Sequence, residues 1–184
     1  MLKAKKTLKL IIMCFCLLLL QTKLQAGIWS NGIDNFKQTW NSSQYDIYIP
    51  VKTYHSRFSY DERLITEFNE QPWGFGFGKS RWDEKGNWHG LYVMVFKDSY
   101  ANWQPIIGYG WEATWNPFKN DIRTGIGFTA GATARKNWDW KPSPNLLPIA
   151  SINYKAVSLQ ATYIPLIWHN IGNIWFAWIR IQVN

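Results

Sequence analysis

The chain is 184 residues long and carries 13 Trp, 10 Phe and 9 Tyr but only 17% charged residues, against about 25% in ordinary soluble domains. That length fits one domain, and so aromatic and poorly charged a chain is not intrinsically disordered. A formal charge of +8 admits a nucleic-acid binder only until its position along the chain is considered.

Lys3, Lys5, Lys6 and Lys9 precede an apolar run from Leu10 to Leu20, and Leu24-Gln25-Ala26 offers a cleavage site. This is the layout of a secretory signal over 1–26, with an apolar stretch too short to be a comfortable spanning helix. An uncleaved anchor is the competing reading. Removing 1–26 takes away five lysines and no acidic residue, so the net charge falls from +8 to +3. No nucleic-acid argument survives that loss. Cys14 and Cys16 leave as well, and an exported chain without disulfides must be held by its core, a metal or surrounding lipid.

In the expected mature chain, 27–184, Ile33, Phe36 and Trp40 recur at helical spacing between polar residues. They predict a short amphipathic helix within 27–44, which either lies on a membrane interface or plugs a barrel end. Then come eight segments of period two, separated by turn residues: Tyr45–Tyr54, Trp73–Ser80, Trp88–Lys97, Pro105–Trp115, Thr124–Arg135, Leu146–Tyr154, Val157–Pro165 and Ile174–Val183. In the second, Trp73, Phe75 and Phe77 oppose Gly74, Gly76 and Gly78; in the fourth, Ile107, Tyr109 and Trp111 oppose Gly108, Gly110 and Glu112. Such a series predicts an all-β, eight-stranded antiparallel up-and-down barrel over 45–184. Strands of about ten residues match tilted membrane strands, and Trp and Tyr near strand ends resemble outer-membrane aromatic girdles. A secreted soluble barrel is the alternative. No later apolar run is long enough for a second spanning helix.

Eight strands leave no watery pore. The third, sixth and eighth segments are apolar or small on much of both faces, so the interior is expected to be apolar, either solidly packed or holding a hydrocarbon. The glycines at 74, 76, 78, 108, 110, 125, 127 and 131 either leave volume unfilled or relieve curvature. Pro50, Pro72, Pro148 and Pro165 sit within or beside strands, and each removes a ladder donor. They mark either lateral gaps for a lipid tail or ordinary strand ends and bulges.

If both termini share one side, the connections after the first, third, fifth and seventh strands share the other. His55 begins the first of these, and Asp98-Ser99 the second. A His, an Asp and a Ser at one mouth can supply base, orienting carboxylate and hydroxyl for acyl transfer. Such residues are common in loops, so shared position is the only support. His89 reads as structural or interfacial and His169 as a solvated loop residue. No HExxH, paired Cys or carboxylate cluster suggests a metal, and no cofactor is expected.

Tyr45-Asp-Ile-Tyr-Ile-Pro50, Tyr54-His-Ser-Arg-Phe58, Pro72-Trp-Gly-Phe-Gly-Phe-Gly78, the run from Ser80 to Tyr92, Phe96-Lys-Asp-Ser99, Gly108-Tyr-Gly-Trp-Glu112, Gly127-Phe-Thr-Ala-Gly131 and Thr162-Tyr-Ile-Pro165 resemble the PagP family of lipid A palmitoyltransferases. The resemblance runs from about Thr39 to Arg180. It implies an outer-membrane barrel with its active site on the outer face. There a palmitoyl chain passes from a phospholipid donor to a hydroxyl on a hydroxyacyl chain of the lipid A acceptor. It implies His55, Asp98 and Ser99 as essential residues; at the rim His55 is expected to help deprotonate the acceptor hydroxyl, with Asp98 orienting or charge-balancing it. Ser99 is either a nucleophile or a binder of oxyanion or headgroup. It implies Gly110 as the floor of a hydrocarbon ruler selecting sixteen carbons, Pro50 and Pro72 at one lateral opening, and Pro148 and Pro165 at the other. Outer-membrane lipids and no nucleic acid are the expected partners, and the protein is expected to be a monomer or homodimer. The chain departs from the pattern in ending Ile181-Gln-Val-Asn184, without a terminal aromatic.

Overall fold

The computed structural model describes residues 30–117, 121–167, 169 and 171–183; the expected signal segment, with Cys14 and Cys16, lies outside them. A helix, α1, covers 30–40, and its Ile33, Phe36 and Trp40 are exposed. Eight strands follow: β1 (Gln44–His55), β2 (Gly74–Trp82), β3 (Trp88–Lys97), β4 (Trp103–Trp115), β5 (Ile122–Thr133), β6 (Ser143–Tyr154), β7 (Val157–Ile164) and β8 (Ile174–Val183). Each pairs antiparallel with the next, and β8 pairs with β1, which closes the barrel. A one-and-a-half-turn helix, α2 (Glu62–Glu67), sits in the β1–β2 connection. Among the described residues no helix is long and apolar enough to cross a membrane; the strands are the elements of spanning length.

The predicted limits of β3 and β8 coincide with those observed. β6 begins at Ser143, earlier than predicted, and takes in Pro144. Its edge toward β7 is unpaired there, since β6–β7 pairing starts only at Ile149 opposite Thr162, and an unpaired edge is where a strand tolerates proline. A matching gap lies between β1 and β2, whose pairing stops at Tyr48 opposite Gly76. Beyond it, the Thr53 N–H donates to the Glu70 carbonyl at 3.0 Å.

Apolar side chains cover the outside of the barrel: Phe75, Phe77, Val93, Ile107, Ile126, Leu146, Ile152 and Leu159 are all exposed. Inside, one zone is apolar, built from Tyr48, Trp88, Tyr92, Met94, Phe96, Ile149, Phe176 and Trp178. The zone toward the start of β1 and the end of β8 is polar, which the expectation of an apolar interior missed. Arg180 alternates with Phe176 and Trp178 and is 2% exposed. It donates to Asp46 at 3.3 Å and to Ser158 at 2.6 Å, and lies 4.9 Å from the Trp88 ring centre. Beside it Glu112 accepts from Ser151 at 2.7 Å and from Gln160 at 3.1 Å. A single charge inside an apolar strand face carries little weight in a periodicity count, yet buried it recruits a whole shell of partners.

At two of the glycines a neighbouring ring takes the place of a side chain. A Cβ at Gly108 would stand 2.6 Å from the Tyr92 hydroxyl, and one at Gly78 would stand 2.9 Å from a Tyr48 ring carbon. These glycines admit neighbouring rings.

Candidate active site

His55 is placed by a break in the alternation of β1. Before the break the buried residues are Asp46, Tyr48 and Pro50; after it they are Thr53 and His55. Val51 and Lys52, between them, both face outward, and the register to β8 shifts at this point. One extra residue in a strand turns every later side chain to the other face. Without this bulge Tyr54 would point inward and His55 would face outward. Pro50, lacking an N–H, stands where a bulge costs the ladder least. His55 is thereby 1% exposed, with Phe68 tilted against it at 4.4 Å and Tyr60 edge-on at 5.2 Å between ring centres.

Ser99 meets His55 across the mouth, its Oγ 2.8 Å from His55 Nε2. The tight turn from β3 to β4 holds it there. Asp98 Oδ1 accepts the backbone N–H groups of Tyr100 and Asn102, both at 2.9 Å, and Ala101 adopts a left-handed φ of 57°. The Ser99 carbonyl accepts the Asn69 N–H at 2.8 Å. Asp98 is buried, and its other oxygen faces Arg135 at 3.5 Å. The structure therefore brings His55, Asp98 and Ser99 to one rim, but no hydrogen bond joins Asp98 to the imidazole. Both of its oxygens are committed to the turn and to Arg135.

The carboxylate at the imidazole is Glu70, which sequence reasoning passed over. Glu70 Oε1 lies 3.3 Å from His55 Nδ1 and accepts the His55 backbone N–H at 3.1 Å. Arg57 donates to both carboxylate oxygens, at 2.6 and 3.0 Å, and also to the His55 carbonyl at 2.8 Å. Lys52 adds a contact at 3.3 Å. The Arg57 guanidinium holds the Glu70 carboxyl well below the usual carboxylate range, against partial burial, with the His55 N–H and Lys52 adding to it. Glu70 lies in an aperiodic loop fifteen residues after His55, where no pattern announces it.

Gly110 lies deeper, opposite Gly90 on β3 and Thr129 on β5. The buried Trp88 indole lies over it, and a Cβ at 110 would stand 2.8 Å from its ring. Pro50 stands on β1 where its pairing to β2 has ended, and Pro72 on the segment leading into β2. Pro148 stands on β6 just beyond its last pair with β7, and Pro165 just beyond the end of β7. His89, at the other end of the barrel, contacts the Tyr109 hydroxyl at 2.6 Å and Asp83 at 3.3 Å. His169 pairs with Asp61 at 3.2 Å, both well exposed.

Residues 35–180 match the family model described as "Antimicrobial peptide resistance and lipid A acylation protein PagP". The chain is 50% identical over 187 aligned positions to "Lipid A acyltransferase PagP" of Cronobacter sakazakii (strain ATCC BAA-894), covering 96% of this chain and 97% of that one. It is 49% identical to the protein so named from Enterobacter lignolyticus (strain SCF1), covering 99% and 100%. The one from Citrobacter rodentium (strain ICC168) is 54% identical, covering 90% and 91%.

Proposed function

The chain belongs to the PagP family of lipid A acylation proteins, and we propose that it moves a palmitoyl chain from a glycerophospholipid to a hydroxyacyl hydroxyl of lipid A. It is an acyltransferase of the outer membrane acting on lipid A. The carrying observation is the 2.8 Å contact between His55 Nε2 and Ser99 Oγ, at the mouth of a barrel with an apolar outside and an apolar column beneath. In the proposed reaction His55 takes the proton from the lipid A hydroxyl as its oxygen attacks the donor ester carbonyl. The ester bond then breaks, and the imidazolium returns that proton to the departing lysophospholipid oxygen. The geometry equally favours Ser99 as the attacking oxygen in a first, acyl-serine step. Release of lysophospholipid without lipid A, in an amount equal to the enzyme, distinguishes that route.

The depth of Gly110 below the mouth supports the proposed ruler. From Asp98 to Gly90 along β3 is eight residues, or about 27 Å at ~3.4 Å each. At a tilt of about 40° this is roughly 20 Å of depth. One acyl chain occupies about half of a ~30 Å hydrocarbon core, and a straightened one somewhat more. The two unpaired strand stretches at Pro50–Pro72 and Pro148–Pro165 support lateral admission of lipid, and we place the His55 mouth on the outer face.

The test is to give the detergent-folded protein a palmitoyl phospholipid and lipid A and to follow lipid A mass. A gain of one palmitoyl group that disappears in His55→Ala and falls at least about 10²-fold in Ser99→Ala is expected. Equal activity in folded His55→Ala overturns the assignment.

A further inference from the structure

We infer that Glu70 is the positioning residue for His55, holding the imidazole with its proton on Nδ1 and its lone pair on Nε2 toward Ser99. The inference rests on reading His55 as the base. Glu70 grips His55 twice, through the ring nitrogen and through the backbone N–H, and a carboxylate at Nδ1 selects the tautomer by accepting that proton. Its own orientation is set by the two-pronged Arg57 contact, the geometry that best fixes a carboxylate in plane. The Arg57 contact to the His55 carbonyl closes the ring, so residues 55, 57 and 70 form one unit.

Alternatives for the role are occupied elsewhere. Asp98 spends one oxygen on the Ser99 turn and the other on Arg135. The charged groups that bear on His55 are Glu70 and Arg57 from the β1–β2 connection and Arg135 from the β5–β6 connection. Tyr60 and Phe68 pack against its ring. Glu70 is thus the negative charge that stabilises the imidazolium formed during transfer, against two arginines that oppose it.

Glu70→Gln keeps the shape and one acceptor but turns an amide N–H₂ toward donors. Expected is a fall in kcat on the order of 10²-fold, the low end of what positioned acid–base groups contribute, with KM for the phospholipid nearly unchanged. The acid limb of the pH–rate profile should move to lower pH, because an imidazolium that loses an adjacent carboxylate gives up its proton more readily. A purely structural role for Glu70 would leave that limb in place. Nitrogen NMR of His55, assigned with His55→Gln among the three histidines, should show the Nδ1–H form in the parent and its loss in Glu70→Gln. Folding is checked by the heat-dependent shift in gel mobility of an intact barrel. An unchanged tautomer and acid limb in folded Glu70→Gln overturn the inference while His55→Ala inactivity leaves the base intact. An active His55→Ala removes the base instead, whatever the tautomer shows.

Discussion

At the scale of single residues, the barrel interior divides into groups that act and groups that hold. Asp46 and Arg180 hold: both are fully buried and paired at 3.3 Å. Asp46→Ala strands the guanidinium, at a cost of about 3–5 kcal/mol, read as a lower denaturant midpoint in micelles. Asp46→Asn with Arg180→Met should recover part of that loss, since replacing both partners removes the desolvation as well as the attraction. Gly110 is a different case. Gly110→Ala must move the Trp88 ring, and overpacking of this kind costs about 1–3 kcal/mol. Under the ruler reading it also shortens the accepted acyl chain, seen as a smaller mass increment on lipid A. Glu70 has a plain pH signature. Its carboxyl is held below the usual carboxylate range, so its contribution is fully present above about pH 5 and is lost progressively as the pH falls from there through its lowered value. The stability difference between Glu70→Gln and the parent, about 1 kcal/mol at pH 8 for a partly exposed network, should therefore not shrink between pH 8 and pH 5, and should grow toward pH 5 as His55 takes up a proton beside the carboxylate.

Elements turn those residues into a site, and here β1 matters most. The bulge at Val51 and Lys52 reverses which side chains face inward, so deleting Val51 should turn His55 out and bring Tyr54 in. Expected is a loss of transfer of at least about 10²-fold from a barrel that still forms, checked by the lipid A mass assay and gel mobility together. Strand order, alternation and most strand limits were legible because lipid outside and packed rings inside enforce strict period two, as in β2 with its outward Phe75 and Phe77. The bulge was not legible, since one extra residue leaves a segment that still looks alternating on either side of it. Loop position brought His55, Asp98 and Ser99 to one rim. It could not show that Asp98 secures the turn while Glu70 meets the imidazole, because hydrogen-bond partners in a connection follow from three-dimensional closure. Arg180 was hidden for the related reason that one charge hardly alters an apolar face.

Over the whole molecule, the outer surface identifies the solvent the fold expects. Ile107 and its register partner Val93 are both exposed at mid-strand. Ile107→Arg should cost roughly 2–4 kcal/mol in a bilayer if it faces the midplane. A water-soluble barrel would tolerate the change within about 0.5 kcal/mol, so folding titrations into lipid vesicles separate the two. The interior is asymmetric to match: apolar rings stand beneath the His55 mouth, and a hydrogen-bonded polar cluster fills the end where β1 begins and β8 finishes.

That asymmetry extends to the backbone ladder. Toward the start of β1 and the end of β8 every strand is bonded to both neighbours, like an unbroken collar. Toward the mouth the two missing stretches, β1–β2 and β6–β7, cut the wall into two panels, one of β2 through β6 and the other of β7, β8 and β1. His55 rides on the second panel and Ser99 on the first. The barrel wall is thus arranged like a spring clip, a closed ring with two jaws, and the proposed reactive pair takes one tooth from each jaw. If lipid enters by the proposed lateral route, parting the jaws would separate the two teeth, which stand 2.8 Å apart in the closed wall. On that reading the proposed chemistry and the proposed doorway would share one coordinate, and the pair would be assembled only with the wall closed.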